Sequence, residues 1–295
     1  VAYASYLKAL IDGRPRKNDP YTGRDDSPDD AQPESLFSIQ FAAPYSIAIP
    51  ARILGVGAPW AMTLSGAIAA FLTALAIFWL IGMITNDSLY AMADSLIVLC
   101  GGALFAGEGA IGEILGTSYS YPYFPGFRRY IPAMAFPAFF AFVALVWKLL
   151  ARETREIHEI NPKSEISNFK SKLSTSHFLL VSLSTLAFGY TVFSYFFVWT
   201  TAAAWLGCLG LCWLIVRPEG YFRDIKLLAA LGVGCVLSLV PYAYLLSNRA
   251  RSMDEVQMLV RTHTPDLTRM PELISFVVLA MIAVCIWLKV LRLKD

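Results

Sequence analysis

The chain is 295 residues long, 57% of them apolar and 16% charged, with a formal net charge of +2 and a mean hydropathy of +0.55. A soluble domain carries about a quarter of its residues as charges. This composition therefore excludes an ordinary water-soluble enzyme and makes the number of membrane spans the first question.

Val1, Tyr3, Tyr6, Leu7 and Leu10 fall at helical spacing, which predicts a short helix rather than a span. Val1 is not an initiator methionine and no signal-peptide pattern precedes this helix, so the chain reads as a fragment. Residues 11–35 follow, with Asp12, Asp19, Asp25, Asp26, Asp29, Asp30 and Glu34 beside Arg14, Arg16, Lys17 and Arg24. Pro, Gly and Asp here favour a solvated, disordered linker, above all over Asp25 to Asp30. Glu34 is the exception, because it immediately precedes an apolar helical stretch whose N-terminus can hold a carboxylate at the bilayer surface. That stretch, 36–57, contains Gln40, Pro44, Pro50 and Arg52. Phe37, Phe41 and Tyr45 recur every four residues, which predicts an interfacial helix with one face in lipid; an eighth span kinked at its prolines is the alternative.

A span needs about 20 mostly apolar residues, and 58–295 supplies runs of that kind. They are Pro59 to Ile84, Leu89 to Ala106 (interrupted by Asp94), Ile131 to Leu150, Phe178 to Val216, Ile225 to Ser247 and Leu273 to Leu291. The 39-residue run Phe178 to Val216 is too long for one helix. A turn near Tyr190 to Trp199, among clustered aromatics of the kind found at membrane interfaces, divides it into two. The predicted fold is all-α: a polytopic bundle of about seven spans with an interfacial helix and extracytoplasmic loops. Its parts are an acidic outer loop at 1–35, the interfacial helix at 36–57 and the transmembrane domain at 58–295. Asp94, inside a span near its inner end, is expected to cap or pair locally.

Twelve Lys and Arg residues (Lys148, Arg152, Arg155, Lys163, Lys170, Lys172, Arg217, Arg223, Lys226, Lys289, Arg292 and Lys294) lie on the side holding 151–176 and 217–224. Seven (Arg52, Arg128, Arg129, Arg249, Arg251, Arg261 and Arg269) lie within reach of a span on the other. The first side is read as cytoplasmic, and 1–35, 107–130 and 248–271 as external. The expected location is a bacterial inner membrane, with the chain passing through several times. The five cysteines all fall inside spans, so they read as small apolar residues and suggest neither disulfides nor a metal framework. There is no HExxH, GxxxxGK[ST] or long basic block, which removes the usual signatures of zinc proteases, P-loop ATPases and nucleic-acid binders.

Function is expected on the outer loops, where charge exceeds what solubility requires. Glu108 and Glu113 lie in a Gly-rich apolar stretch at the outer end of a span, a depth at which ionisable groups are functional candidates. The Arg128–Arg129 pair suits a phosphate or diphosphate, though lipid headgroups fit it equally. Tyr119, Tyr121, Tyr123 and Tyr130 read as a sugar-stacking wall or as interface anchors. Between the last two spans, Met253, Val256, Leu259 and Val260 predict a short amphipathic helix followed by Arg261, His263, Asp266 and Arg269.

Three passages resemble the GT-C superfamily of integral-membrane glycosyltransferases. YASYLKALIDGRP is similar to the family's D-x-x-Y-x-x-x-A-x-x-x-x-x-G start of the first outer loop. PESLFSIQFAAPYSIAIPARILG resembles the passage from loop to interfacial helix in aminoarabinose and mannosyl transferases, and FRRYIPAMAFPAFFAFV resembles their later arginine-bearing loop. The likeness covers residues 1–150. It implies transfer of a sugar from a polyprenyl-phosphate donor to an acceptor on the outer face, by inverting displacement with a carboxylate base and cationic stabilisation of the departing phosphate. The family's first catalytic Asp falls before Val1, and its second acid corresponds to Glu34. The candidate catalytic or metal-binding acids are then Glu34, Asp19 and Glu108, and the candidate substrate contacts are Arg128, Arg129, Arg261, His263 and Tyr123. A divalent metal ion is the one cofactor left open; the partners implied are the bilayer and the lipid-linked donor. The other classes are a transporter or flippase of a lipid-linked substrate, which normally shows broken helices and mid-membrane charge, and a non-catalytic polytopic subunit.

Overall fold

The computed structural model describes residues 2–20, 22–101, 130–159, 166–218, 221–249 and 270–288. The described elements are helical: α1 (Ala2–Ile11), α2 (Leu36–Ile39), α3 (Ala42–Leu54), α4 (Ala58–Thr85), α5 (Ser88–Leu96, continuing as a π-turn over Ile97–Gly101), α6 (Tyr130–Glu159), α7 (Ile166–Val192), α8 (Phe196–Val216), α9 (Tyr221–Ser247) and α10 (Met270–Trp287). Among the described residues there is no strand, only an isolated bridge between Glu34 and Arg249.

Among the described residues, four helices are long and apolar enough to cross a membrane: Ala58–Thr85, Pro132–Ala151, Phe196–Val216 and Tyr221–Ser247. Helices of this length and composition are those of a helical membrane protein. Three further apolar helices, Ser88–Leu99, Ser176–Val192 and Phe276–Cys285, are shorter. Each overlaps one of the seven expected spans; among the described residues Ser176–Val192 reaches only the lower end of the length that a crossing needs, and the other two fall short of it.

Sequence chemistry explains the breaks. Asn86 ends α4 in the left-handed region at φ 56°, a conformation that Asn tolerates better than most residues. Asp87 then starts α5 by accepting hydrogen bonds from the backbone N–H groups of Leu89 (2.9 Å) and Tyr90 (3.1 Å), as an N-cap does. Asp87, rather than Asp94, caps this end. The long apolar run divides at residues 193–195, inside the expected interval. Thr73 and Ser95, both buried, donate to the carbonyls of Ala69 and Ala91 at 2.7 Å, which satisfies their hydroxyls without a partner helix.

Two cores hold the molecule together. The bundle core centres on Phe142, Phe188, Val192, Leu231 and Tyr242 from α6, α7 and α9, with Trp205 of α8 edge-on to Phe142 at 5.9 Å. The second core is a cap in which Tyr6, Leu7 and Leu10 of α1 pack on Ala43, Ile47, Ala48 and Ala51 of α3. Small residues on α3 let α1 approach closely, and α2 ties the cap to the bundle by sinking Ile39 into the bundle core.

The interfacial stretch departs from expectation in its facing. Phe37 belongs to α2 and stacks on Tyr3 and Tyr6 at 5.2 and 5.4 Å, whereas Phe41 lies against Phe193 at 5.1 Å. The helix breaks at Gln40, so the four-residue recurrence does not mark one continuous face. On α3 the outward apolar side chains are instead Ile49, Ile53 and Leu54. With 13 residues, α3 is about 20 Å long, less than the roughly 30 Å hydrocarbon core.

Candidate functional site

The 12–35 segment folds onto the cap through its own charges. Arg14 pairs with Asp25 at 2.8 Å, Lys17 with Asp26 at 3.0 Å, and Arg16 with Glu34 at 2.6 Å. The pinned loop replaces the disordered linker that its composition suggests: all three basic residues of RPRK, Arg14, Arg16 and Lys17, meet an acid many residues later. Asp26 also accepts the Gln32 backbone N–H at 2.9 Å. That bond, together with Lys17, holds its carboxyl below the usual range.

Glu34 is the centre of the arrangement. It is 7% exposed; its Oε1 accepts from Arg16 Nη2 at 2.6 Å, and its Oε2 accepts from Arg16 Nη1 at 2.9 Å and from Ser38 Oγ at 2.6 Å. The two-pronged geometry is that of a guanidinium–carboxylate fork. Burial by itself pushes the Glu34 carboxyl up, but the hydrogen bonds from Arg16 and Ser38 and the nearby charges of Arg16 and Lys17 outweigh it and hold the group below its ordinary value. Ser35 and Ser38 form a reciprocal capping box at the start of α2, so the turn carrying Ser38 is fixed from both sides. Arg16 is oriented further by Phe41, whose ring centre lies 5.8 Å from the guanidinium carbon, and by Tyr6, whose hydroxyl donates to the Arg16 carbonyl at 3.0 Å. The Glu34 N–H also reaches the Asn248 carbonyl at 3.4 Å, joining the cap to the end of α9.

Two clefts flank this pair. One is open and mostly apolar, about 690 Å³, lined by Arg16, Phe41, Ala42, Tyr45, Ser46, Ile49, Pro50 and Tyr190. The other is smaller, about 150 Å³, and mixed: its surface is mainly apolar, with Leu36, Phe37, Pro20 and Pro33, and polar groups come from Lys17, Asn18, Asp19, Gln32, Ser35 and Arg249. Chain segment 16–17 borders both.

Of the sequence candidates, Glu34 and Asp19 fall among the described residues. Asp19 is half-buried, accepts the Thr22 hydroxyl at 2.6 Å, and lines the smaller cleft rather than joining the Arg16–Glu34 fork. Glu108, Arg128, Arg129, Arg261, His263 and Tyr123 lie outside the described residues. Among the described residues, no three His, Cys, Asp or Glu side chains come together as a metal site would require, and Glu34 spends both oxygens on protein donors. Arg16, Asn18, Ser38 and Phe41 are participants that the sequence reading passed over. The one signal for them was local, the Arg and Lys of RPRK among so many acids, and it did not say which acid each would meet. Neither a family model nor any curated protein or solved structure matches the chain.

Proposed function

We propose that this protein is a membrane glycosyltransferase that moves a sugar from a polyprenyl-phosphate donor to an acceptor at the outer face of a bacterial inner membrane, with seven spans carrying the cap. The observation that carries the reading is the open apolar cleft with Arg16 at its rim. A lipid-linked phosphate needs an apolar surface for its chain and a cation where the chain ends, and a guanidinium suits the phosphate.

In this reading Arg16 contacts the phosphate as it departs, offsetting the developing charge, and Glu34 positions Arg16. A carboxylate already held ionised by two donors is a weak proton acceptor, so Glu34 is not the base. Asp19, beside the smaller cleft, is the described candidate for taking the acceptor hydroxyl's proton as the new glycosidic bond forms and the sugar–phosphate bond breaks. Glu108, Arg128, Arg129, Arg261, His263 and Tyr123 are proposed to complete the outer site.

The test is sugar transfer by the full chain in lipid nanodiscs, with radiolabelled polyprenyl-phosphate sugars as donors. Arg16→Lys keeps the charge but loses the fork. It is expected to lower kcat/KM for the donor by about tenfold or more, a loss of roughly 1.4 kcal/mol in transition-state stabilisation. Absence of transfer with every donor, or turnover unchanged in Arg16→Lys, would overturn the proposal.

A further inference from the structure

We propose that the smaller, mixed cleft between the 16–20 turn and the start of α2 is a binding subsite for a single sugar ring, with the buried amide of Asn18 as its anchoring acceptor. The inference rests on the transferase reading and extends it to a second site.

Asn18 is 3% exposed. Its Nδ2 donates to the Pro15 carbonyl at 2.8 Å, which fixes the amide, and its Oδ1 is buried without a hydrogen-bond partner. Buried acceptors are rarely left so, because each forfeits the hydration it had in the unfolded chain. Asn18 is also part of the wall of the 150 Å³ cleft. That volume is about ten times what a single water requires, yet well below the roughly 300–1,000 Å³ of clefts that enclose drug-sized ligands. A small molecule fits there and a lipid chain does not.

The lining narrows the chemistry. Asn18 and Asp19 offer acceptors, Lys17 and Arg249 offer donors, and Phe37 and Leu36 add apolar surface. A hydroxyl both donates and accepts, so a ring carrying several hydroxyls on its edges and C–H groups on its faces matches all three kinds of wall at once. A simple anion would leave the acceptors unanswered, and a wholly apolar ligand would match the Leu36 and Phe37 surface but leave the Asn18 acceptor unpaired. Because segment 16–17 borders both clefts, a sugar held here lies next to the cation that contacts the phosphate.

The experiment uses the full chain in phosphatidylcholine nanodiscs, which carry no sugar headgroups. Saturation-transfer NMR is recorded with methyl hexopyranosides and, as a control for non-specific hydroxyl contact, with glycerol. A methyl hexopyranoside is expected to show transfer well above glycerol, and Asn18→Leu to weaken it about tenfold. Gln32→Trp, which fills the cleft from its rim and leaves the Asn18 to Pro15 hydrogen bond in place, is expected to weaken it likewise; this variant serves if Asn18→Leu fails to fold. Signals no greater than glycerol's, or equal in wild type and Gln32→Trp, overturn the subsite. Sugar binding lost in both variants, in a protein that transfers nothing, keeps the subsite and sinks the transferase. Transfer that survives both variants with unchanged donor KM does the reverse.

Discussion

At the scale of single residues, the Arg16–Glu34 fork governs both stability and proton affinity. Removing Arg16 leaves a buried carboxylate with one remaining side-chain donor, Ser38. Breaking a buried pair from one side costs about 3–5 kcal/mol, and Arg16 remains 27% exposed in its side chain, so the low end, about 3 kcal/mol, is expected for Arg16→Ala. The measurement is the thermal midpoint in nanodiscs. Because the Glu34 carboxyl is held below its ordinary value when folded, its ionised form is favoured by folding. The stabilisation is complete above the unfolded value near pH 4.3 and is lost as pH falls from there through the folded value. The midpoint of the wild type should therefore drop over that interval, and Glu34→Gln should flatten that part of the profile. A profile with the same slope in both proteins would show that another carboxylate carries the acid sensitivity.

Among the elements, α7 and α9 approach each other tightly at Gly234. A Cβ placed there would run into Thr185 Oγ1 and lie 3.0 Å from its Cγ2, so the absence of a side chain at 234 lets these helices touch. Small residues play this role where helices pack within lipid. Threonine is stiff at χ1, so it cannot swing aside freely. Gly234→Ala is expected to destabilise by about 1–3 kcal/mol, as overpacking does. Adding Thr185→Ala removes both the Oγ1 and Cγ2 contacts and should recover most of the loss. A double variant no better than the single one would place the strain elsewhere. The same scale shows why α3 and α2 escaped a periodicity reading. The recurrence Phe37, Phe41, Tyr45 is real in the sequence, but Gln40 interrupts the helix, and the first two rings turn to different partners, Tyr6 and Phe193.

For the molecule as a whole, the contacts sort the chain into two ends. The cap shares one end with the α7–α8 turn, through the Ala42 N–H to the Phe193 carbonyl at 2.9 Å, and with the close of α9, through Asn248. Arg223 and His177 meet at the other end, at 3.1 Å. If those ends face opposite sides of the membrane, cysteines placed at Thr22 and Ser247 in a cysteine-free background should react with an impermeant maleimide from one face, and cysteines at Asn86 and Arg217 from the other. The lysine excess predicts that Asn86 and Arg217 face the cytoplasm. Labelling of Ser247 and Asn86 from the same face would contradict this arrangement.

By itself the sequence determined that the chain is helical and rich in runs long enough to cross a membrane, and it placed the breaks after α4 and at 193–195, though not the one at Gln40. Those properties depend on local quantities: runs of apolar residues, Asn86 and Asp87 at a turn, aromatics around 193–195. It also singled out Glu34, because this carboxylate immediately precedes an apolar helical stretch whose N-terminus can hold it. Tertiary structure decided what Glu34 meets, pairing it with Arg16, which lies 18 positions earlier in the chain. It also decided that the acidic 12–35 segment is pinned and not free, and that Asn18 is buried beside a cleft. Ion pairs and cavities of this kind arise between segments distant in sequence. Charge and periodicity report which groups are available, and only the packed cap reports which of them meet.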